Sequence, residues 1–198
     1  MKRIYLITYN LLLAIGWSIF LIRELKTGFA MDSTSLLLLN ICQGAAILEI
    51  GHVAIGWVKS PLFTTSIQVF SRLFVLVLIN IVPTDELIGF FGITGVLLVT
   101  IAWGVTEIVR YGYYLSSLLD KEKEWLTFLR YTLFIVLYPI GVLGEWLILL
   151  SVMKMNNWDW NIVNIFLGAV LLSYLPFFPK LYMYMWKQRG KKLQPSNV

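Results

Sequence analysis

Eight residues that hydrocarbon rejects interrupt the long apolar runs of this sequence: Glu49, His52, Gln68, Arg72, Glu107, Arg110, Tyr138 and Glu145. A charge at mid-membrane costs at least ~2.5 kcal/mol, so such residues are expected to face a shared interior. Their spacing agrees. Glu49 and His52 are three apart, Gln68 and Arg72 four apart, and Glu107 and Arg110 three apart, so each pair shares one helix face. Tyr138 and Glu145 are seven apart, two turns with a ~20° offset, and both look into one cavity. Carboxyl and phenol groups are proton-transfer groups. Pro139 between them removes a backbone hydrogen bond, and Gly141 and Gly144 let a neighbouring backbone or ligand come close.

Ordinary roles account for several of these residues. Glu107 and Arg110 read as an interhelical ion pair with snorkelling rather than as chemistry, and His52 as a satisfied interfacial histidine. Arg72 lies about ten residues into its run and needs a carboxylate, for which Glu49 is the candidate, or an anionic ligand. The sets Tyr5, Tyr9, Trp17 and Tyr174, Tyr182, Tyr184 are expected in packing and the aromatic belt. Asn10 is expected to bond another helix, and Cys42 to be a small core residue.

The elements that must hold these groups are six apolar runs, Ile4–Ile22, Thr34–Val58, Leu62–Val82, Leu87–Leu119, Trp125–Val152 and Ile162–Trp186. Each is long enough to span a bilayer. With 59% hydrophobic and 14% charged residues and a mean hydropathy of +0.77, 198 residues cannot hide their apolar side chains in a soluble globule. The expected fold is all-α: a polytopic six-helix transmembrane bundle over residues 1–190, followed by a short basic disordered tail over 191–198. Short loops make neighbouring helices antiparallel. The end of the fourth run, with Tyr111, Tyr113 and Tyr114, is expected to emerge at the interface. The first run is too long for a signal-peptide core and reads as a retained helix.

Lys2, Arg3, Lys59, Lys121, Lys123, Arg130, Lys180, Lys187, Arg189, Lys191 and Lys192 fall on one side, against Arg23, Lys26 and Lys154 on the other. Both termini are therefore expected in the cytosol. The formal charge of +5 reflects this asymmetry and not a nucleic-acid partner. One cysteine and one histidine exclude a disulfide within the chain and leave no set of ligands for a zinc, iron–sulfur or di-iron site. Most of the polar set then lies in the cytosolic half, with Tyr138 near the middle and Glu145 deeper. The pattern is a funnel with a basic, aromatic mouth and an apolar floor, suited to an amphiphile with a polyanionic head and a hydrocarbon tail.

The stretches Leu48–His52, Thr64–Arg72, Trp103–Tyr111, Leu129–Tyr131 and Leu137–Glu145, with Tyr9-Asn10 and Gly16-Trp17, resemble the very-long-chain (3R)-3-hydroxyacyl-CoA dehydratases, in order, over about residues 5–150. The resemblance implies a six-helix endoplasmic-reticulum membrane enzyme of fatty-acid elongation. Its catalytic pair matches Tyr138 and Glu145, and its other polar positions match Glu49, Gln68, Arg72, Arg130 and Gly141. It implies a long-chain 3-hydroxyacyl-CoA substrate, no cofactor and no metal. Membrane lipid and the elongation condensing enzyme and reductases would be the partners. The sixth run matches only loosely, and nothing is carried over from it. The phosphatase-like label attached to this family finds no support, because Cys42 is followed six positions later by Leu48 and not by arginine.

Dehydration would remove a proton from C2 and protonate the departing hydroxyl at C3, with Glu145 as base and Tyr138 as acid or with the roles exchanged. Arg72, Gln68 or backbone N–H groups near Pro139–Gly141 are candidate donors to the thioester oxygen. Lys59, Lys121, Lys123 and Arg130 are candidates for the coenzyme A phosphates. Two other classes compete. A catalytically inactive scaffold or assembly factor of the elongation complex need not keep both Tyr138 and Glu145, and a small transporter is expected to show inverted repeats.

Overall fold

A computed structural model describes residues 1–83 and 86–193. Among the described residues eight helices make six spans: α1 (Lys2–Thr27), α2 (Ser33–Ala45) continued by α3 (Ile47–Ala54), α4 (Leu62–Ile81), α5 (Gly95–Leu118), α6 (Glu124–Arg130) continued by α7 (Phe134–Met155), and α8 (Ile162–Leu193). All six are long and apolar enough to cross a bilayer. Six crossings return both termini to one face, called here the terminal face. α8 continues to Leu193, three residues into the segment expected as a tail; residues 194–198 lie outside the described residues.

The helix boundaries follow from local chemistry. α1 stops at Gly28, whose φ of 66° is the left-handed cap that glycine supplies without strain. α2 starts at Asp32, whose carboxylate accepts from the Ser35 N–H at 2.9 Å and pairs with Arg23. The Arg23 guanidinium, and then the Ser35 N–H, hold that carboxyl down at about 2. Thr94 caps α5 by accepting from the Leu97 N–H.

The fourth run departs from expectation at its start. Residues 89–94 form not a helix but a hairpin, β1 (Gly89–Phe90) paired antiparallel with β2 (Ile93–Thr94). Its two turn residues, Phe91 and Gly92, have φ of 53° and 79°. Positive φ at both positions is the tight turn whose twist suits a two-residue hairpin. Hydropathy alone could not separate this short apolar stretch from the helix that follows it.

α5 is the central helix, with half of its most apolar stretch buried, against 28% or less for every other span. It packs on α1 and on α7. Glycines set the α5–α7 distance: a Cβ on Gly144 would lie 2.8 Å from the Gly95 carbonyl oxygen, and one on Gly95 would lie 2.6 Å from the Gly144 carbonyl oxygen. On the α1–α2 side, a Cβ on Gly16 would meet the Cys42 Sγ at 2.8 Å, which places buried Cys42 in the core as expected. Where helices lack the hydrophobic effect between them, this close packing of small residues is a main source of association.

Pro139 deprives the Ile135 carbonyl of its helical donor. The Tyr182 phenol of α8 donates to that oxygen at 3.2 Å. Tyr182 is thus more than a belt residue, because it satisfies a backbone group that hydrocarbon would leave unpaired.

Two stability measurements check these joints by thermal melting in detergent. Gly144→Ala is expected to cost about 1–3 kcal/mol, because the atom it meets is backbone and cannot move aside. Tyr182→Phe is expected to cost about 1–2 kcal/mol by orphaning the Ile135 carbonyl. An unchanged melting temperature in either variant contradicts the corresponding contact.

Candidate active site

A ladder of polar groups descends from the terminal face to the middle of the bundle. At its upper end the Glu49 carboxylate of α3 takes both Nη groups of Arg110 at 2.7 Å and the Tyr111 phenol at 2.6 Å. Arg110 also donates through Nε to Glu107 at 2.7 Å. Glu107, only 1% exposed, pairs in turn with Arg72 of α4. Two carboxylates and two guanidiniums alternate across three helices, so each charge meets its opposite. The Arg72 guanidinium also lies 5.8 Å from the centre of the Trp103 ring.

Trp103 carries the ladder to α7. Its indole Nε1 donates to the Glu145 Oε1 at 3.3 Å, and the Tyr174 phenol of α8 donates to the Glu145 Oε2 at 2.7 Å. Arg72, Trp103, Glu145 and Tyr174 each sit well inside their helices. One turn separates Trp103 from Glu107 on α5, so the same helix face serves both carboxylates.

Tyr138 sits two turns above Glu145 on α7, nearer the terminal face. Its ring stacks on Phe178 at 5.2 Å and on Tyr182 at 6.2 Å, both from α8. Tyr138 and Glu145 therefore both meet α8. Along the same seam Pro139, Val142, Leu143 and Trp146 face Tyr174, Leu175, Phe178 and Pro179 across an apolar groove of about 320 Å³. Leu143 and Leu175 are exposed, so the groove opens on the outside of the bundle. A larger cleft of about 750 Å³ lies at the terminal face, where Arg189 and Lys192 stand beside Glu122 and Glu124. Neither Tyr138 nor Glu145 lines this cleft or the groove, so the expectation that both look into one cavity is not met by either; Glu145 stands behind Tyr174, which walls the groove, and Tyr138 behind Phe178.

The remaining residues singled out from sequence divide. Gly141 is buried, and a Cβ there would only touch the Ala102 Cβ at 3.4 Å. Gln68, one turn from Arg72 on α4, is exposed. Arg130 ends α6, with its guanidinium 5.8 Å from the Tyr114 ring centre. His52 is buried, with its Nε2 3.0 Å from the Tyr5 phenol and its ring against Tyr9 and Trp57. That makes it the satisfied histidine expected.

Three expectations need correction. Arg72 pairs with Glu107 and not with Glu49, whose partner is Arg110, because Glu107 is the carboxylate that the central helix brings to α4. Tyr111 does not emerge at the interface; it is 1% exposed and bonded to Glu49. Asn10 donates to the Leu6 carbonyl of its own helix at 2.6 Å, not to another helix.

Sequence reasoning missed Trp103 and Tyr174 as partners of Glu145. Trp103 had a signal, its one-turn spacing from Glu107. Tyr174 had none, since its contact depends on how α8 folds back on α7.

A multi-pass helical bundle with a carboxylate and a phenol on one broken helix is the class these features define. The family described as protein tyrosine phosphatase-like protein, PTPLA, matches residues 43–195, and the chain belongs to it. It is 36% identical to very-long-chain (3R)-3-hydroxyacyl-CoA dehydratase 2 of Mus musculus, over 98% of this chain and 82% of that one. It is 40% identical to very-long-chain (3R)-3-hydroxyacyl-CoA dehydratase hpo-8 of Caenorhabditis elegans, over 96% and 94%. It is 34% identical to very-long-chain (3R)-3-hydroxyacyl-CoA dehydratase PASTICCINO 2 of Arabidopsis thaliana, over 99% and 96%. No solved structure matches the chain.

Glu107→Gln tests the ladder. It leaves two guanidiniums facing one carboxylate, and a loss of about 3 kcal/mol is expected. Thermal melting beside the wild type reads it; an equal melting temperature means that the ion-pair chain does not hold the helices.

Proposed function

We propose that this protein converts (3R)-3-hydroxyacyl-CoA to trans-2-enoyl-CoA, the dehydration step of very-long-chain fatty-acid elongation, with Glu145 and Tyr138 as the reacting pair. Full-length similarity to proteins named for this activity supports the reaction class. The observation that carries the assignment of residues is the setting of Glu145, a carboxylate whose two oxygens accept from Trp103 and Tyr174 in the middle of the bundle.

A carboxylate taking donors on both oxygens is suited to the ionised, acceptor state. Glu145 is accordingly the base that removes the C2 proton, and Tyr138 the acid that protonates the C3 hydroxyl. The C2–H electron pair becomes the C2–C3 double bond, the C3–O bond breaks, and water leaves. Tyr138 is held by stacking, which leaves its phenol free for the substrate oxygen.

Arg72, beside Trp103, is the nearest fixed positive charge for the enolate that develops at the thioester. Glu49 holds Arg110 and, through it, the ladder, while Gly141 leaves the α7 face opposite Ala102 of α5 without a side chain. Gln68 and Arg130 serve the substrate's head, with Lys59, Lys121 and Lys123 for the coenzyme A phosphates. The acyl tail runs along the apolar groove between α7 and α8. The terminal face is cytosolic, as the basic-residue bias supports. The membrane is that of the endoplasmic reticulum, where the elongation condensing enzyme and reductases supply the substrate and consume the product.

Glu145→Gln and Tyr138→Phe are each expected to lower turnover of a long-chain 3-hydroxyacyl-CoA by at least about 100-fold while the protein stays folded. Enoyl-CoA formation in detergent, with melting curves alongside, is the measurement. Wild-type turnover in either variant removes that residue from the chemistry.

A further inference from the structure

We propose that Tyr174 of α8 is a positioning residue of the site: its phenol, with the Trp103 indole, clamps the Glu145 carboxylate in the orientation that meets C2 of the substrate. This rests on Glu145 being the catalytic carboxylate, as argued above.

The clamp joins three helices. Tyr174 donates to Oε2 at 2.7 Å from α8, and Trp103 donates to Oε1 at 3.3 Å from α5, so the plane of a carboxylate on α7 is fixed from two sides. A glutamate side chain has three rotatable bonds, and a base that must reach one proton benefits from losing that freedom before substrate arrives. The donor at Oε2 is the shorter of the two and couples to a charged group, which makes it the stronger.

Packing alone does not explain the hydroxyl. The Tyr174 ring already lies edge-on to Trp146, with centres 6.3 Å apart, and walls the apolar groove. Phenylalanine would preserve both contacts. α8 is the least buried span, with 11% of its most apolar stretch covered. A polar bond aimed inward from such a helix therefore serves what it reaches. Tyr182, two turns later, bonds a backbone carbonyl and so has a structural use; Tyr174 bonds the reacting group.

Tyr174→Phe removes one oxygen and keeps the ring. The expected result is a fall in kcat of about tenfold with KM essentially that of the wild type, alongside a loss of stability no larger than that of Tyr182→Phe. Rates are referred to the folded, monodisperse fraction. Trp103→Phe, which loosens the other oxygen, is expected to lower kcat in the same sense. The second arm uses Glu145→Asp, whose shorter side chain is withdrawn from the phenol. On that background Tyr174→Phe is expected to change kcat by less than about twofold, because two residues acting as a unit are not additive.

A kcat within twofold of wild type in Tyr174→Phe overturns the inference. So does a tenfold loss that recurs unchanged on the Glu145→Asp background, or a loss explained by unfolded protein. Glu145→Gln, assayed in parallel, separates the two levels. If it retains turnover, the catalytic reading falls and this inference with it. If it is inactive while Tyr174→Phe is normal, only the positioning role falls.

Discussion

The Glu107 carboxylate, on the central helix and closed off from solvent, is the point on which the rest of the bundle depends. Glu49, Glu107, Glu145, Arg72 and Arg110 gather around α5, apart from buried Glu24 near the far end of α1, and a charge in hydrocarbon is costly unless it is paired or hydrogen-bonded. Glu49, Arg110, Glu107 and Arg72 form a neutral quartet that ties α3, α4 and α5 together. Neutrality here is a condition of insertion as well as of packing. The fifth charge, Glu145, stands outside the quartet and receives neutral donors. Trp103 touches both parts, with its ring toward Arg72 and its N–H toward Glu145. The four structural charges thus face one another, and the remaining carboxylate is held by neutral groups.

The α7–α8 seam is built from features that would weaken an ordinary helix pair. Pro139 opens the hydrogen-bond ladder of α7, and Pro176 and Pro179 interrupt that of α8. Tyr182 repairs one of these openings, and the Tyr138–Phe178–Tyr182 stack spans the same level. On the other side of α7, Gly95 and Gly144 bring α5 within backbone contact. Tight packing toward α5 and loose packing toward α8 place Glu145 on a firm support behind Tyr174, which walls the groove.

Much of this arrangement was legible from residue types alone. Hydropathy located six spans because each must cover the bilayer with apolar side chains, and helical spacing grouped Glu107 with Arg110. Pairing between helices was not legible. Residue types offered Arg72 the Glu49 carboxylate, and only the position of the central helix gave it Glu107 instead. Tyr111 looked interfacial because it follows Arg110 near the end of a run, yet its helix is surrounded there and its phenol turns to Glu49. Tyr174 looked like one aromatic among many in α8, since a hydroxyl that bonds 29 residues back leaves no period in the sequence. The hairpin at 89–94 was hidden for the opposite reason: its residues are as apolar as a helix, and two positive φ angles decided its shape.

A groove on the outer surface suits a substrate that never needs to leave lipid. Each CH₂ withdrawn from hydrocarbon into water costs about 0.8 kcal/mol, so a very long acyl chain is far cheaper to slide sideways than to pull through an aqueous mouth. In the proposed arrangement the head approaches from the terminal face, near Arg130, while the tail lies between α7 and α8. C2 and C3 must then rest where head and tail meet, which is the level of Tyr138 and Glu145. A closed cavity would set a maximum length by its floor. A lateral groove exposed at Leu143 and Leu175 sets none by volume, so any preference for chain length has to come from how the walls grip the first carbons beyond C3. In that arrangement Pro139, Val142 and Tyr174 would be the walls, tying selectivity for the tail to the same helix pair that carries Glu145.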